Sequence, residues 1–158
     1  MRRRMAIPEF DEYGNLLPGV HKVDWAEVAA RFGETPERQR LLTGLRDALN
    51  LLAACGCRRA WIDGSFVTDI ERVGGRPPGD VDVCWEIAGV DLARLTAMAP
   101  ELHPLFDAPA MRHRRYGGDY FAVSEPLAPG MVEQFQWARD GRMKGIIVLI
   151  PEEAMVTR

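Results

Sequence analysis

The chain has 158 residues, 47% of them hydrophobic, with a net charge of −3. That is enough apolar material for one domain with its own core, and too little positive charge for a protein coated to bind nucleic acid in bulk. No apolar run approaches the length of a membrane span, and Met1-Arg2-Arg3-Arg4 is followed by no apolar signal core, so a cytoplasmic protein with no membrane partner is expected.

Residues 1–22 carry Pro8, Gly14, Pro18 and Gly19, a composition that reads as an extended, turn-rich lead wrapping the surface. Residues 23–56 read as N-terminal helices. Asp24 with Glu27 forms a capping box for the first, which Gly33 ends. Thr35-Pro36 opens the second, with a cap followed by proline in the first turn. Leu41, Leu42, Leu45, Ala48, Leu49, Leu52 and Ala53 recur at three-to-four spacing and make its buried stripe, closed by Gly56. Residues 57–150 form the rest of one domain. Arg59 to Ile62 and Val81 to Ile87 read as strands, Asp91 to Met98 as a helix ending before Pro100, and Tyr116 to Val123 and Lys144 to Ile150 as later strands. Asp140-Gly141 suits a tight turn after an extended stretch around Phe135 to Ala138. Alternating helix and strand predicts an α/β or α+β fold with a mixed sheet flanked by helices.

Cys55, Cys57 and Cys84 lack the spacing of a zinc site and read as buried thiols in a reducing compartment. His21, His103 and His113 show no metal-ligand spacing, and surface or packing roles are the default for them. Trp61, Trp85, Phe121 and Trp137 have apolar neighbours and read as core.

The chemistry concentrates in Asp63-Gly64-Ser65 and Asp80-Val81-Asp82. On a strand, Asp80 and Asp82 point to the same face. Two crowded carboxylates repel unless a cation sits between them, and Mg²⁺ is commonly held by one or two carboxylates together with substrate phosphates. Gly64 lets backbone approach a phosphate, and Ser65 adds a hydroxyl at a strand-to-helix turn where free N–H groups collect. Asp63 would shape that turn, and Thr68 would add a hydroxyl just after it.

These residues resemble the signature of the DNA polymerase β-type nucleotidyltransferase superfamily, which is Gly-Ser followed by Asp-x-Asp on the next strand. Ile7-Pro8-Glu9-Phe10, Leu17 to His21, Arg31-Phe32-Gly33, Asp63 to Thr68, Asp80 to Val83 and Asp140 to Gly145 further resemble a small bacterial and phage branch of it. The resemblance implies Mg²⁺- or Mn²⁺-dependent transfer of an NMP unit from an NTP to a hydroxyl of a protein or tRNA acceptor. Resemblance to small superfamily members implies a toxin–antitoxin or phage-defence setting, and so short a chain implies a homodimer or partner protein for acceptor recognition. Gly64 and Ser65 would hold the β/γ-phosphates, and Asp80 and Asp82 the metals. The superfamily's third acid starts a later strand beside the Asp-x-Asp strand. Asp119 is the choice for it here, although it also reads as a turn aspartate after Gly117-Gly118. Glu86 is the fallback, on the same strand face but too far along it to share a metal.

Three basic elements carry two readings each. Arg72, just before the Val73 to Gly79 loop that lengthens the signature, or Arg76 within it would touch phosphate if that loop closes over nucleotide, and the loop reads equally as a solvent-exposed insertion. Lys144 would reach a phosphate or guard a sheet edge. Arg112-His113-Arg114-Arg115 would neutralise phosphates, but charge runs are more often solvated faces. Two other functions remain open: a nucleotide-binding antitoxin or regulatory module without turnover, and a metal-dependent phosphohydrolase using the same acids.

Overall fold

Local signals read from the sequence set the first helices. A computed structural model describes residues 7–124, 141–152 and 154. In it α1 (Trp25–Phe32) opens on the Asp24–Glu27 capping box, with both reciprocal hydrogen bonds made. The Thr35 side chain accepts from Arg38 N at the start of α2 (Pro36–Ala54). The leucine stripe of α2 is buried through Leu52, as its spacing requires.

The remaining elements are β1 (Gly19–Lys22), β2 (Ala60–Asp63), a 3₁₀ turn at Ser65–Val67, α3 (Ile70–Gly74), β3 (Val81–Glu86), α4 (Leu92–Met98), a 3₁₀ turn at Pro100–Leu102, α5 (Pro109–Tyr116), β4 (Gly118–Val123) and β5 (Gly145–Leu149). The strands form one mixed sheet in the order β1-β5-β2-β3-β4. β2 runs antiparallel to both β3 and β5, while β1–β5 and β3–β4 are parallel pairs. The fold is therefore α/β with a mixed sheet flanked by helices.

Alternation along the strands divides the sheet's faces. Ala60, Ile62, Val81, Val83, Trp85, Tyr120, Ile147 and Leu149 join the buried residues of the helices in the main core. The other face carries Trp61, Asp63, Asp82, Cys84, Glu86, Asp119 and Phe121, and its buried apolar residues form a small separate cluster of Trp61, Cys84, Val123 and Ile146. That second face is where the polar chemistry lies.

Three expectations change. Residues 19–22 are an edge strand on β5 and not a surface lead, because Gly145 admits the backbone of Leu17 where a Cβ would collide with its carbonyl oxygen. Tyr116 ends a helix and does not start a strand; Pro109 opens α5, Gly117 closes it in the left-handed conformation at φ 74°, and β4 starts at Gly118. The Val73 to Gly79 loop is shorter than expected, since α3 absorbs its first residues. Asp140 and the stretch from Phe135 to Ala138, with Trp137, lie outside the described residues. Among the described residues no helix is long and apolar enough to cross a membrane.

Candidate functional site

Three adjacent strands deliver three aspartates to one line. Asp82 on β3 is in register with Asp63 on β2 and with Asp119 on β4. Residues in register share a face, and neighbouring strands lie about 4.8 Å apart, so the carboxylates stand side by side. Asp80, just before β3, adds a fourth. Like charges placed directly opposite one another are destabilising, so this row costs the metal-free fold stability.

The cost appears in the ionisation of Asp82. Burial pushes its carboxyl up to about 6, repulsion from Asp80, Asp63 and Asp119 adds to the shift, and Lys144 opposes it. Lys144 Nζ lies 2.7 Å from Asp63 Oδ1 with both side chains largely buried, so this lysine belongs to the site as the counter-charge of a carboxylate.

The turn after β2 closes on the acids. Gly64 has φ 83°, a left-handed conformation that disfavours side chains, and a Cβ there would run into the Asp82 carboxylate. Glycine is thus what lets Asp82 pack against the turn. Ser65 begins the 3₁₀ turn, and its carbonyl accepts from Thr68 N at 3.1 Å and Thr68 Oγ1 at 2.7 Å. The Thr68 hydroxyl is therefore committed to shaping the turn. A cleft of about 290 Å³ lies against this face, lined by Trp61, Asp63, Asp82, Val83, Asp119 and Phe121 among others.

Asp119 stands on this face at the start of β4, and His113 stands beside it. His113 Nε2 lies 2.8 Å from Asp119 Oδ1, and one donor atom each from Asp80, His113 and Asp119 fall within 4.8 Å of one another. Sequence reasoning passed over His113, because no ligand spacing links it to Asp80. What joins them is the left-handed Gly117, which reverses the chain after α5 and lays β4 back beside β3. Pro109 followed eight residues later by Gly117-Gly118 was the available signal, a helix start and a helix stop.

The other candidates disperse. Arg76 is exposed on the loop before β3, and its guanidinium donates to the carbonyl of Pro77. Arg72 pairs with Asp69 at 2.7 Å. In the basic run, Arg112 donates to the carbonyls of Glu101 and Phe106, Arg115 pairs with Glu101, and His113 turns to Asp119. Glu86 is buried against Arg59 and takes no part in the acid row. Phe121, expected in the core, is 48% exposed beside the cleft, because its strand position faces away from the helices. Trp61 and Trp85 are buried as expected. All three cysteines are buried free thiols, and burial beside Asp63 and Asp82 pushes Cys84 up to about 12, which keeps it a protonated, poor nucleophile. His21 contacts the carbonyl of Leu17, and His103 accepts from Leu105 N.

As a donor set, Asp80, Asp119 and His113 with Asp82 adjacent suit a divalent cation. Carboxylates fit Mg²⁺ and Mn²⁺, and an imidazole tilts the set toward the transition metal. No curated protein and no solved structure matches the chain. A family described as "Family of unknown function (DUF6932)" matches residues 8–150, nearly the whole chain and all of the residues that build the acid row. The chain belongs to that family, DUF6932.

Proposed function

We propose that this protein is a divalent-metal-dependent nucleotidyltransferase. The observation that carries the reading is the register of Asp63, Asp82 and Asp119 across three strands, with the Gly64 turn packed on the middle carboxylate. Such a row is costly in a resting protein and useful where cations and phosphates must be gathered.

Asp80, Asp82 and Asp119, with His113, would hold Mg²⁺ or Mn²⁺. A bound ion would neutralise phosphate charge and ease ionisation of the attacking hydroxyl. The chain's own residues do the rest. The Gly64-Ser65 turn would offer backbone N–H groups and a hydroxyl to the β/γ-phosphates, and Arg76, exposed on the loop before β3, would meet them on closure of that loop. Lys144 keeps Asp63 neutralised, so that the turn beginning at Asp63 holds its shape. Asp119 receives the proton of the acceptor hydroxyl. The acceptor oxygen bonds to the α-phosphorus, the bond from that phosphorus to the bridging oxygen breaks, and pyrophosphate leaves with the electron pair. Catalysis in this scheme is positioning and charge neutralisation. A cytoplasmic setting, a protein or tRNA acceptor, and a homodimer or partner supplying acceptor contacts belong to the same proposal.

The test incubates the pure protein with each labelled NTP, Mg²⁺ or Mn²⁺, and cell lysate, beside an Asp80→Asn/Asp82→Asn control. Label on RNA or protein from wild type alone supports the transferase. Metal-dependent NTP binding without transfer replaces it with a regulatory nucleotide-binding module. Free NMP as the only product replaces it with a hydrolase.

His113 separates a metal ligand from a bystander. His113→Asn is expected to weaken Mn²⁺ binding by at least the roughly tenfold that even an outer partner contributes, and to weaken Mg²⁺ binding less. Electron paramagnetic resonance of free Mn²⁺ and calorimetry with Mg²⁺ read this directly. An unchanged Mn²⁺ affinity would remove His113 from the site.

A further inference from the structure

A second hollow lies on the same sheet face as the acids and plays no part in the scheme above. It measures about 570 Å³, within the range of small-molecule sites, and Lys22, Arg58, Arg59, Trp61, Glu86 and Val148 line it. Trp61 also lines the acid cleft, so the two hollows share a wall. Glu86 stands four residues beyond Asp82 on one face of β3, roughly 13 Å away at the strand rise.

The charges of this cavity do not cancel. Glu86 is the one acid among the described residues that line it, and Arg59 already neutralises it, with Nε 3.0 Å from Oε2 and a closer contact from Nη2 to the same oxygen. Lys22 and Arg58 are exposed and have no acidic partner among the described residues. The Arg59 guanidinium lies 5.4 Å from the centre of the Trp61 ring, which places a planar cation beside an aromatic face at the cavity wall. A chain of net charge −3 thus has one end of this face acidic and the other cationic.

We propose that this cavity binds the acceptor, and that the acceptor is the end of a single-stranded nucleic acid. The inference rests on the transferase reading for what happens at the acids. Under that reading the NTP phosphates are held at the Gly64-Ser65 turn, so these two cations, without an acidic partner among the described residues, are left for a phosphate that is not the NTP's own. The Arg59 guanidinium, half exposed and lying over the buried Trp61 ring, is the planar group beside those cations on which a base would stack. A strand end seated here, with its phosphate on Lys22 and Arg58, reaches along β2 and β3 toward the carboxylates. A protein acceptor would need acidic side chains to satisfy the same cations, and it is the competing outcome.

The experiment measures binding without metal or NTP, so it does not depend on turnover. A fluorescein-labelled RNA hexanucleotide is titrated with wild type, Lys22→Gln/Arg58→Gln and Asp82→Asn, at several salt concentrations, with fluorescence anisotropy as the readout. Wild type should bind, with a log–log salt slope of magnitude about 1.4 from two phosphate contacts to a single strand. The double variant should lose on the order of tenfold in affinity and most of that slope, with an unchanged melting temperature, because both residues are exposed. Asp82→Asn should bind at least as well as wild type, since it removes only negative charge from the far end of the face.

Equal RNA binding by wild type and the double variant would overturn the inference. So would displacement of the RNA by ATP, or by an acidic hexapeptide, at the same concentration as unlabelled RNA. A protein that binds RNA through Lys22 and Arg58 but transfers no label would leave this site standing and bring down the transferase reading. Transfer to protein with no RNA binding would do the reverse.

Discussion

Asp82→Asn is expected to make the metal-free protein more stable while abolishing its metal response and its activity. The ionised Asp82 carboxylate is held in a partly buried place, with Asp80, Asp63 and Asp119 around it and only Lys144 in opposition. Its pKa moves from 3.8 in the unfolded reference to about 6. A raised carboxyl pKa means the folded state binds the proton more tightly than the unfolded state does. The metal-free wild type therefore gains stability as pH falls from about 7 toward 4 and loses it as pH rises through about 6. Asparagine keeps the shape without the charge and removes that dependence. At neutral pH the gain should be about 1–3 kcal/mol, or roughly 3–10 °C in Tm for a chain of this size. Thermal melts in EDTA at pH 7 and pH 5 measure it, and the gap between the two proteins should narrow to about half at the lower pH. Added Mn²⁺ should raise Tm for wild type by mass action and leave the variant where it was. Transfer of label should fall by at least about a hundredfold. A variant less stable than wild type in EDTA at pH 7 would mean that the acid row is not under electrostatic strain, and the main argument for a cation site would go with it.

What was legible in the sequence had a local cause. The two caps, the leucine stripe and the strands of alternating or continuous apolar residues each draw on neighbours a few positions away. The Gly-Ser and Asp-x-Asp pairs were equally local. Asp119 was reachable because it begins an aromatic-apolar run, which is a strand signal. The features missed are those created by pairing. Gly19 to Lys22 has little strand character of its own and becomes a strand through β5. Asp63 was read as a turn residue, although its register with Asp82 makes it part of the acid row. His113 reaches Asp119 only after α5 ends and β4 runs back beside β3. The sequence offers Lys144 a phosphate or a sheet edge to guard, while the fold gives it the Asp63 carboxylate. A contact between distant strands leaves no period in the sequence, so the individual acids were visible and their alignment was not.

Arg38 carries the largest expected effect on stability, and that effect reaches the site. It is 5% exposed, on the inner face of α2, where an unpaired guanidinium would be untenable. Nε and Nη2 pair with Glu71 at 2.7 and 3.0 Å, Nη1 donates to Phe66 O at 2.6 Å, and Nη2 donates to Thr68 O at 2.6 Å. One side chain thus ties α2 to the carbonyls that follow Ser65 and to α3. These are the carbonyls of the segment whose opposite side would present N–H groups to phosphate, so Arg38 positions the turn without touching substrate. Arg38→Ala strands the acceptors and frees Glu71, whose pKa is held below its usual value by the Arg38 hydrogen bond. Breaking a buried pair in this way costs about 3–5 kcal/mol, and the lower end applies because Glu71 can turn to water. The expected fall in Tm is roughly 6–12 °C. A depressed carboxyl pKa contributes stability above its unfolded value and loses it as pH falls through the folded value. The variant should accordingly lose the acid-side decline in stability that Glu71 gives the wild type. Arg38→Lys should recover little of the Tm, because a single ammonium cannot span Glu71 and two carbonyls as the planar fork does. Under conditions where both variants are fully folded, NTP affinity should still fall while Mn²⁺ affinity holds, since the carboxylates stand on strands that Arg38 does not touch. A lysine variant as stable as wild type, or equal losses of NTP and Mn²⁺ affinity, would show that Arg38 serves the core in general and not the turn.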